Sequence, residues 1–270
     1  MTLVRTAAAF LRREFLEEVS YPLKVVSGLA AALVSLGFLV IFTDFVGKSM
    51  TAQAGNIEGG YLAFALVGLS FHTLLDTALR ELSTRIRQAQ VQGTLEALLA
   101  TRTPLSSLMS ALPLYPLLRT CLRFAGLLLL GWWILDVPLH WNNWQVVTAA
   151  FVLSVTVFAA IGLMFAGLTV VFKRTEPLIA VFNASCFFLS GVIVPWEELP
   201  APLQVISVVL PMTPALEAFR NAALLGGDWA AVAPAFGRLA IFAVALIPLS
   251  VVVFRWSLRQ ALRDGSLGHY

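Results

Sequence analysis

Charge is scarce in this 270-residue sequence: 12% of its residues are charged, where a soluble domain carries about 25%, and 59% are hydrophobic. That scarcity makes lipid, rather than water, the expected solvent. Cysteine is nearly absent too. Cys121 and Cys186 both lie in apolar stretches, so no disulfide framework can be argued and each reads as a small buried hydrophobe. His72, His140 and His269 are far apart and lack ligand spacing, which gives a metal site little support. Gly47, Lys48 and Ser49 end like a phosphate-binding loop, but Phe42 stands where the leading glycine is required, and no strand precedes it. Paired carboxylates and a nucleophile elbow are missing as well. The N-terminus, MTLVRTAAAFLRREFLEEVS, mixes basic and acidic residues and shows no short apolar core with a small-residue cleavage site, so a cleaved signal peptide is not expected.

What the sequence does have is long uncharged runs. A bilayer core of about 30 Å takes about 20 apolar residues to cross as a helix. Residues 25–42 and 146–172 satisfy this most plainly, and residues 177–196 give a further run. Residues 59–79 form another despite His72 and Asp76. Residues 116–135, which contain Arg119 and Arg123, and residues 234–254, which contain Arg238, complete six spans. The stretch from Leu199 to Leu216 is also uncharged, but Pro200, Pro202, Pro211 and Pro214 interrupt it. Eight residues separate the inner prolines, and eight helical residues rise only about 12 Å, too little to cross. This stretch therefore reads as a re-entrant or interfacial helical hairpin, whose irregular backbone must be buried in protein.

Lysine and arginine set the orientation, because they are retained on the cytoplasmic side. With the N-terminus inside, Arg5, Arg12, Arg13, Lys24, Arg80, Arg85, Arg87, Arg102, Lys173, Arg174, Arg255, Arg259 and Arg263 are inner, thirteen of eighteen basic residues. Lys48, Arg220 and Arg238 are outer, and Arg119 and Arg123 lie in or near the third span. Counting the proline-rich stretch as a seventh span would put the last three arginines outside. Both termini are thus expected in the cytoplasm, and the protein in the inner membrane. The positive charges mark topology and not a nucleic-acid surface. Trp132, Trp133, Trp141, Trp144, Trp196 and Trp229 fall at outer ends and Trp256 at an inner end, as an interfacial belt requires.

Two further segments carry helical patterns. Leu3, Ala7, Leu11, Phe15 and Val19 make an apolar stripe over residues 1–22, which fits a helix lying in the inner interface. Residues 80–104, RELSTRIRQAQVQGTLEALLATRTP, are too polar to span. After Gly93 the run TLEALLAT puts Leu95, Leu98 and Leu99 on one side, an amphipathic turn that another protein's groove could hold or that could simply lie in the interface.

In this order, the interfacial helix, two spans, QVQGTLEALLATRTP, three spans, LSGVIVPWEELPAPLQVISVVLPMTPALEAFRNAALLGG and a last span resemble the permease subunits of type-2 ABC exporters, which include drug, lipooligosaccharide and polysaccharide exporters. The resemblance covers nearly the whole chain. It implies an all-α integral membrane protein: one transmembrane domain over residues 1–270, with an interfacial helix at 1–22, a coupling segment at 80–104 and an outer re-entrant region at 197–227. Gln92, Gly93, Thr94, Leu95 and Glu96 match the segment that docks on the ATPase subunit, and Leu98 and Leu99 extend it. Ser190, Gly191, Pro195, Leu199 and Pro200 match the break after the fifth span, while Pro211, Glu217 and Arg220 match the outer re-entrant helices. Leu210 stands where polysaccharide exporters commonly have asparagine, which leans toward the drug and lipooligosaccharide branch. The implied partners are an ATP-binding cassette ATPase, a second permease and membrane lipid. No cofactor is expected on this chain; ATP and magnesium would bind the ATPase.

His72, Asp76 and Arg80 recur every four residues and share one helix face, where they form a local ladder or line a substrate path. Arg119 and Arg123 repeat that spacing, as an interfacial anchor or as a partner for an anionic lipid head or phosphate. Two other functions compete with export: a channel or carrier without an ATPase, and an intramembrane lipid-modifying enzyme using His72 and Asp76.

Overall fold

The computed structural model describes residues 36–43, 60–91, 114–172 and 175–263, with a few isolated positions before residue 60. Residues 1–22, apart from Arg12, and residues 92–104 of the coupling segment lie outside the described residues. All regular structure among the described residues is helical. In chain order the elements are α1 (Gly60–Val91), α2 (Leu114–Ile134), α3 (Trp144–Phe172), α4 (Glu176–Leu189), a 3-10 turn (Trp196–Glu198), α5 (Ala201–Val209), α6 (Met212–Ala223) and α7 (Trp229–Arg263). Residues 36–43, from the first expected span, are helical as well.

Four of these helices are long and apolar enough to cross a membrane: Gly60–Arg85 within α1, Tyr115–Ile134 within α2, α3, and Trp229–Gln260 within α7. Such helices must satisfy every polar group internally. Ser70, Ser154 and Thr169 do so by donating to the carbonyls of Leu66, Ala150 and Phe165 one turn back, at 2.7, 2.7 and 2.9 Å.

Contacts between helices fix their directions. Phe124 of α2 meets Phe71 of α1, and Gly131 meets Leu66, so α2 runs antiparallel to α1. Gly162 of α3 lies against the Ala78 carbonyl, and Gly167 against Phe254 of α7, so α1, α3 and α7 are parallel. Asn183 pairs with Asp76 and Glu176 with Arg87, which makes α4 antiparallel to them. Phe71 is the hub of the core: Phe124, Phe151 and Phe158 meet it edge-on and Phe219 at a tilt, with ring centroids 5.0–6.4 Å apart, joining α1, α2, α3 and α6. At helix contacts α1–α3 and α3–α7 a glycine brings the backbones together; a Cβ at Gly167 would sit 2.9 Å from the Phe254 Cα.

Two boundaries differ from the sequence expectation. The polar residues from Arg80 onward do not start a separate segment; α1 continues through them to Val91. Its ion pairs one turn apart, Arg80 with Asp76 and Arg85 with Glu81, favour that continuation. The run at 177–196 is not helical throughout either. Helix α4 stops at Leu189 after 14 residues, a rise of about 21 Å, because Gly191 adopts φ 84° and Pro195 follows.

The proline-rich stretch folds as α5 and α6, bent by 85°. Pro200 caps α5, Leu210 turns extended, and Pro211 opens α6. The Thr213 hydroxyl donates to the Ser207 carbonyl at 2.6 Å and closes the bend. Almost all of α6 is buried. Helix α4 arrives at the tryptophan-rich end and α7 departs from it, so residues 190–228 begin and end on one side. There the Asn143 side chain donates to the Gly226 carbonyl at 3.1 Å, and the His140 amide to the Ala223 carbonyl at 2.8 Å. Trp132, Trp133, Trp141, Trp144 and Trp229 are exposed at this end, as a headgroup belt needs, whereas Trp196 is half-buried.

Candidate functional site

Two polar assemblies interrupt the apolar interior. The first is the ladder on α1. Arg80 Nε donates to Asp76 Oδ1 at 2.5 Å, and Asn183 Nδ2 from α4 donates to the same oxygen at 2.7 Å. The His72 ring stands edge-on to Phe187 of α4 at 4.8 Å. The helical spacing of four thus brings His72, Asp76 and Arg80 together on the flank that α4 covers. His72 Nε2 and Asn183 Oδ1 are buried with no hydrogen-bond partner among the described residues. Asn183 was invisible in the sequence because it sits in an otherwise uncharged run; an amide within such a run was the available signal.

Arg119 and Arg123 do not share that flank. They lie on α2, which meets the side of α1 that Phe71 faces, and Arg119 is half-buried while Arg123 is exposed. Beyond the ladder Arg87 pairs with Glu176, and Arg80, Thr84, Thr169 and Thr175 are among the residues lining a cavity of about 300 Å³ where α1, α3 and α4 meet.

The second assembly surrounds Arg220 on α6, which is only 7% exposed. Its guanidinium donates to the carbonyls of Gly191 at 2.7 Å, Phe64 at 2.8 Å and Val192 at 3.3 Å, and lies 3.5 Å over the Phe64 ring. The Gly191 and Val192 carbonyls are available because α4 has ended, whereas the Phe64 carbonyl lies inside α1 and accepts through its second lone pair. Gly68 makes room: a Cβ there would clash with the Val192 carbonyl and come within 2.7 Å of Arg220 Nη2. Glu217, one turn earlier, accepts from Arg238 Nη2 of α7 at 2.6 Å. Of the outer residues singled out in the sequence, Pro195, Pro200 and Pro211 shape the breaks, while Glu217 and Arg220 tie α6 to its neighbours.

Gln92, Gly93, Thr94, Leu95, Glu96, Leu98 and Leu99 lie outside the described residues. What precedes them is α1, unbroken for 32 residues, or about 48 Å, and therefore longer than a 30 Å hydrocarbon layer. Among the described residues no group of three or more His, Cys, Asp or Glu side chains could hold a metal.

Comparison with known proteins adds a lineage to this geometry. The profile of a family described as ABC-2 type transporter matches residues 7–224. The chain is 25% identical over 238 residues to Nodulation protein J of Rhizobium leguminosarum bv. viciae, covering 85% of this chain and 88% of that protein. It is 22% identical over 236 residues to Nodulation protein J of Rhizobium meliloti (strain 1021), covering 84% and 86%.

Proposed function

Since the chain belongs to the ABC-2 type transporter family and is a transporter permease, we propose that it works as the membrane half of an ATP-driven exporter. The ATPase is a separate polypeptide, gripped through residues 92–99. Two permease copies, or this chain and a similar one, enclose the path, and its cargo is an amphipathic or lipid-linked molecule. The chain has six spans, both termini in the cytoplasm, and α5 and α6 as an outer re-entrant hairpin. Support for the hairpin comes from α4 and α7 meeting it at the same end of the bundle.

The observation that carries the coupling reading is the length of α1. It runs without a break from the tryptophan-rich end, past the ladder, to Val91, directly before Gln92. A helix of about 48 Å crosses the layer and delivers that segment beyond it. Closing of an ATPase dimer on nucleotide would then push on α1, and differential contacts in the two states would shift the permease between them.

Leu95→Asp and Leu98→Asp test this. Each would place an unpaired charge in an apolar contact, at a cost on the order of several kcal/mol, while leaving the membrane-embedded core untouched. The expected result is a correctly inserted protein that no longer co-purifies with its ATPase and no longer supports export. Wild-type binding and transport by the double variant would remove the coupling assignment. A wild-type chain that retains no ATPase would remove the exporter reading.

A further inference from the structure

The buried guanidinium of Arg220 sits among donors and lacks an acid. Carbonyl dipoles and the Phe64 ring surround it, yet its Nε is buried with no hydrogen-bond partner among the described residues. The Trp196 indole Nε1 and the Tyr61 hydroxyl are left in the same condition. Both side chains stand close by. Trp196 N, Trp196 Cδ1 and Arg220 Nη1 all lie near the point where a Cβ on Gly191 would be, at 3.6, 3.8 and 3.8 Å. Tyr61 stacks with the Phe64 ring that the guanidinium covers, the two ring centroids 6.2 Å apart. Among the described residues no carboxylate is within ion-pairing distance of Arg220. A buried charge in this condition is costly, and an acceptor-only group with two oxygens is the chemistry that would relieve it.

The neighbouring turn carries such a group. Glu197 directly follows Trp196, and its charge reaches Arg220. Glu217 lies on α6 itself but is held by Arg238. Gln204 Nε2 donates to the main-chain carbonyls of Glu197 and Leu199 at 2.7 and 2.8 Å, which braces the turn. The Glu197 side chain, by contrast, is exposed to water and free to change rotamer. Where it stands its carboxyl is pushed up, above all by partial burial, with Glu217 and Glu198 adding to the rise and its own amide and Arg220 opposing it. Its charge is therefore disfavoured there, and direct contact with Arg220 would favour it.

We propose that Glu197 is the alternate partner of Arg220, an outer latch in which the guanidinium exchanges the carbonyls of Phe64 and Val192 for the Glu197 carboxylate when the start of α1 draws away. Arginine takes a carboxylate through two parallel N–H donors, and the unused Nε–H is one of them. Of the three present contacts the one to Val192, at 3.3 Å, is the longest, whereas the 2.7 Å contact to Gly191 holds the fork in place during the exchange. Arg220 can then part from α1 without leaving its charge unmatched. The latch rests on the exporter reading for its use, since an export path must open outward, but not for its test.

The test uses the purified full chain in dodecyl maltoside micelles, without ATPase, and a water-soluble carbodiimide. In Arg220→Lys the new amine at position 220 attacks the activated Glu197 carboxyl. A C–N amide bond forms, the C–O bond to the reagent breaks, the amine loses a proton and the carbodiimide leaves as its urea. No spacer is added, so the amide forms only where the two side chains touch. Peptide mass spectrometry should find positions 197 and 220 joined, and adding Glu197→Gln should abolish that link. A folded Arg220→Lys protein in which no such amide forms would overturn the proposal.

Hydrogen exchange decides the matter if that variant does not fold. Glu197→Gln leaves Arg220 on its carbonyls and removes its other partner, so the amides of residues 64–68 should exchange about threefold more slowly, the effect of one exposed ion pair lost from the open arrangement. Glu198→Gln should leave them unchanged. A contact that merely stabilised the present arrangement would speed exchange when broken, so the direction separates the two roles. Equal or faster exchange in Glu197→Gln, or the same slowing in Glu198→Gln, would overturn the latch. The exporter reading is judged separately, by ATPase co-purification, and can survive either failure.

Discussion

Replacing Arg220 with methionine keeps much of its volume but strands the carbonyls of Gly191 and Val192 in the interior and removes the second partner of the Phe64 carbonyl. Leaving such groups unsatisfied costs about 2–4 kcal/mol in total, given that each orphaned acceptor costs about 1–3 kcal/mol and part of the set can relax. The expected outcome is a clear drop in the apparent melting temperature of the purified protein, with Arg220→Lys intermediate because an ammonium cannot serve three carbonyls with the same fork. Gly68→Ala should act through the same contact, since the new methyl would meet Arg220 Nη2 and the Val192 carbonyl. Combining Gly68→Ala with Arg220→Met should therefore cost much less than the sum of the two single changes, and additive losses in a double-mutant cycle would disprove the shared contact. Position 220 was legible in the sequence only through the family resemblance, as part of the outer hairpin. Its three carbonyl partners come from elements 28 to 156 residues away, and no periodicity connects residues at such separations. The ladder was easier, because a spacing of four on one helix fixes the face on which His72, Asp76 and Arg80 lie, whereas the Asn183 contact needed the fold.

Helices were legible in proportion to how much of their boundary is chemical. The middle of each long apolar run is helical because an unpaired backbone is intolerable in lipid, and hydropathy alone reports that. Ends are a different matter: α1 outlasts its apolar stretch through ion pairs, and α4 falls short of its own through Gly191 and Pro195. The prolines, by contrast, announced the bend between α5 and α6, where Pro211 lacks the amide that would carry α5 onward, although Pro234 and Pro248 are tolerated inside α7. Close helix approach was not legible, since glycine is common in membrane helices and nothing in the sequence says which glycine faces a neighbour. Gly162 does, and its substitution gives a prediction at this scale. Valine there would drive side-chain atoms into the Ala78 carbonyl and force α1 from α3. Overpacking of this kind costs about 1–3 kcal/mol. Gly162→Val should lower the yield of monodisperse protein and its melting temperature, whereas Gly126→Val, where an added Cβ meets nothing within 4 Å, should do neither.

Across the whole molecule, the charge and tryptophan patterns specify an orientation that the helix directions accommodate. The loops at 137–144 and 226–231 lie together at one end, bound through Asn143 and Gly226. Single cysteines introduced in either loop of an intact cell should react with a membrane-impermeant maleimide from outside, and a cysteine added after Tyr270 should react only once the membrane is opened. External labelling at the C-terminus would remove the six-span topology. Helix α1, unbroken through the bundle, also has a mechanical ratio. If α1 rocks as a rigid bar about its tightest backbone contact, at Ala78, then about 27 Å of it lies on the Gly60 side and about 20 Å on the Val91 side. A thrust of about 3 Å at Val91 becomes about 4 Å at Gly60 by leverage alone. The Phe64 carbonyl, about 21 Å along that arm, would move by about 3 Å, comparable to its 2.8 Å bond to Arg220, so a stroke at the inner end would unfasten the outer one.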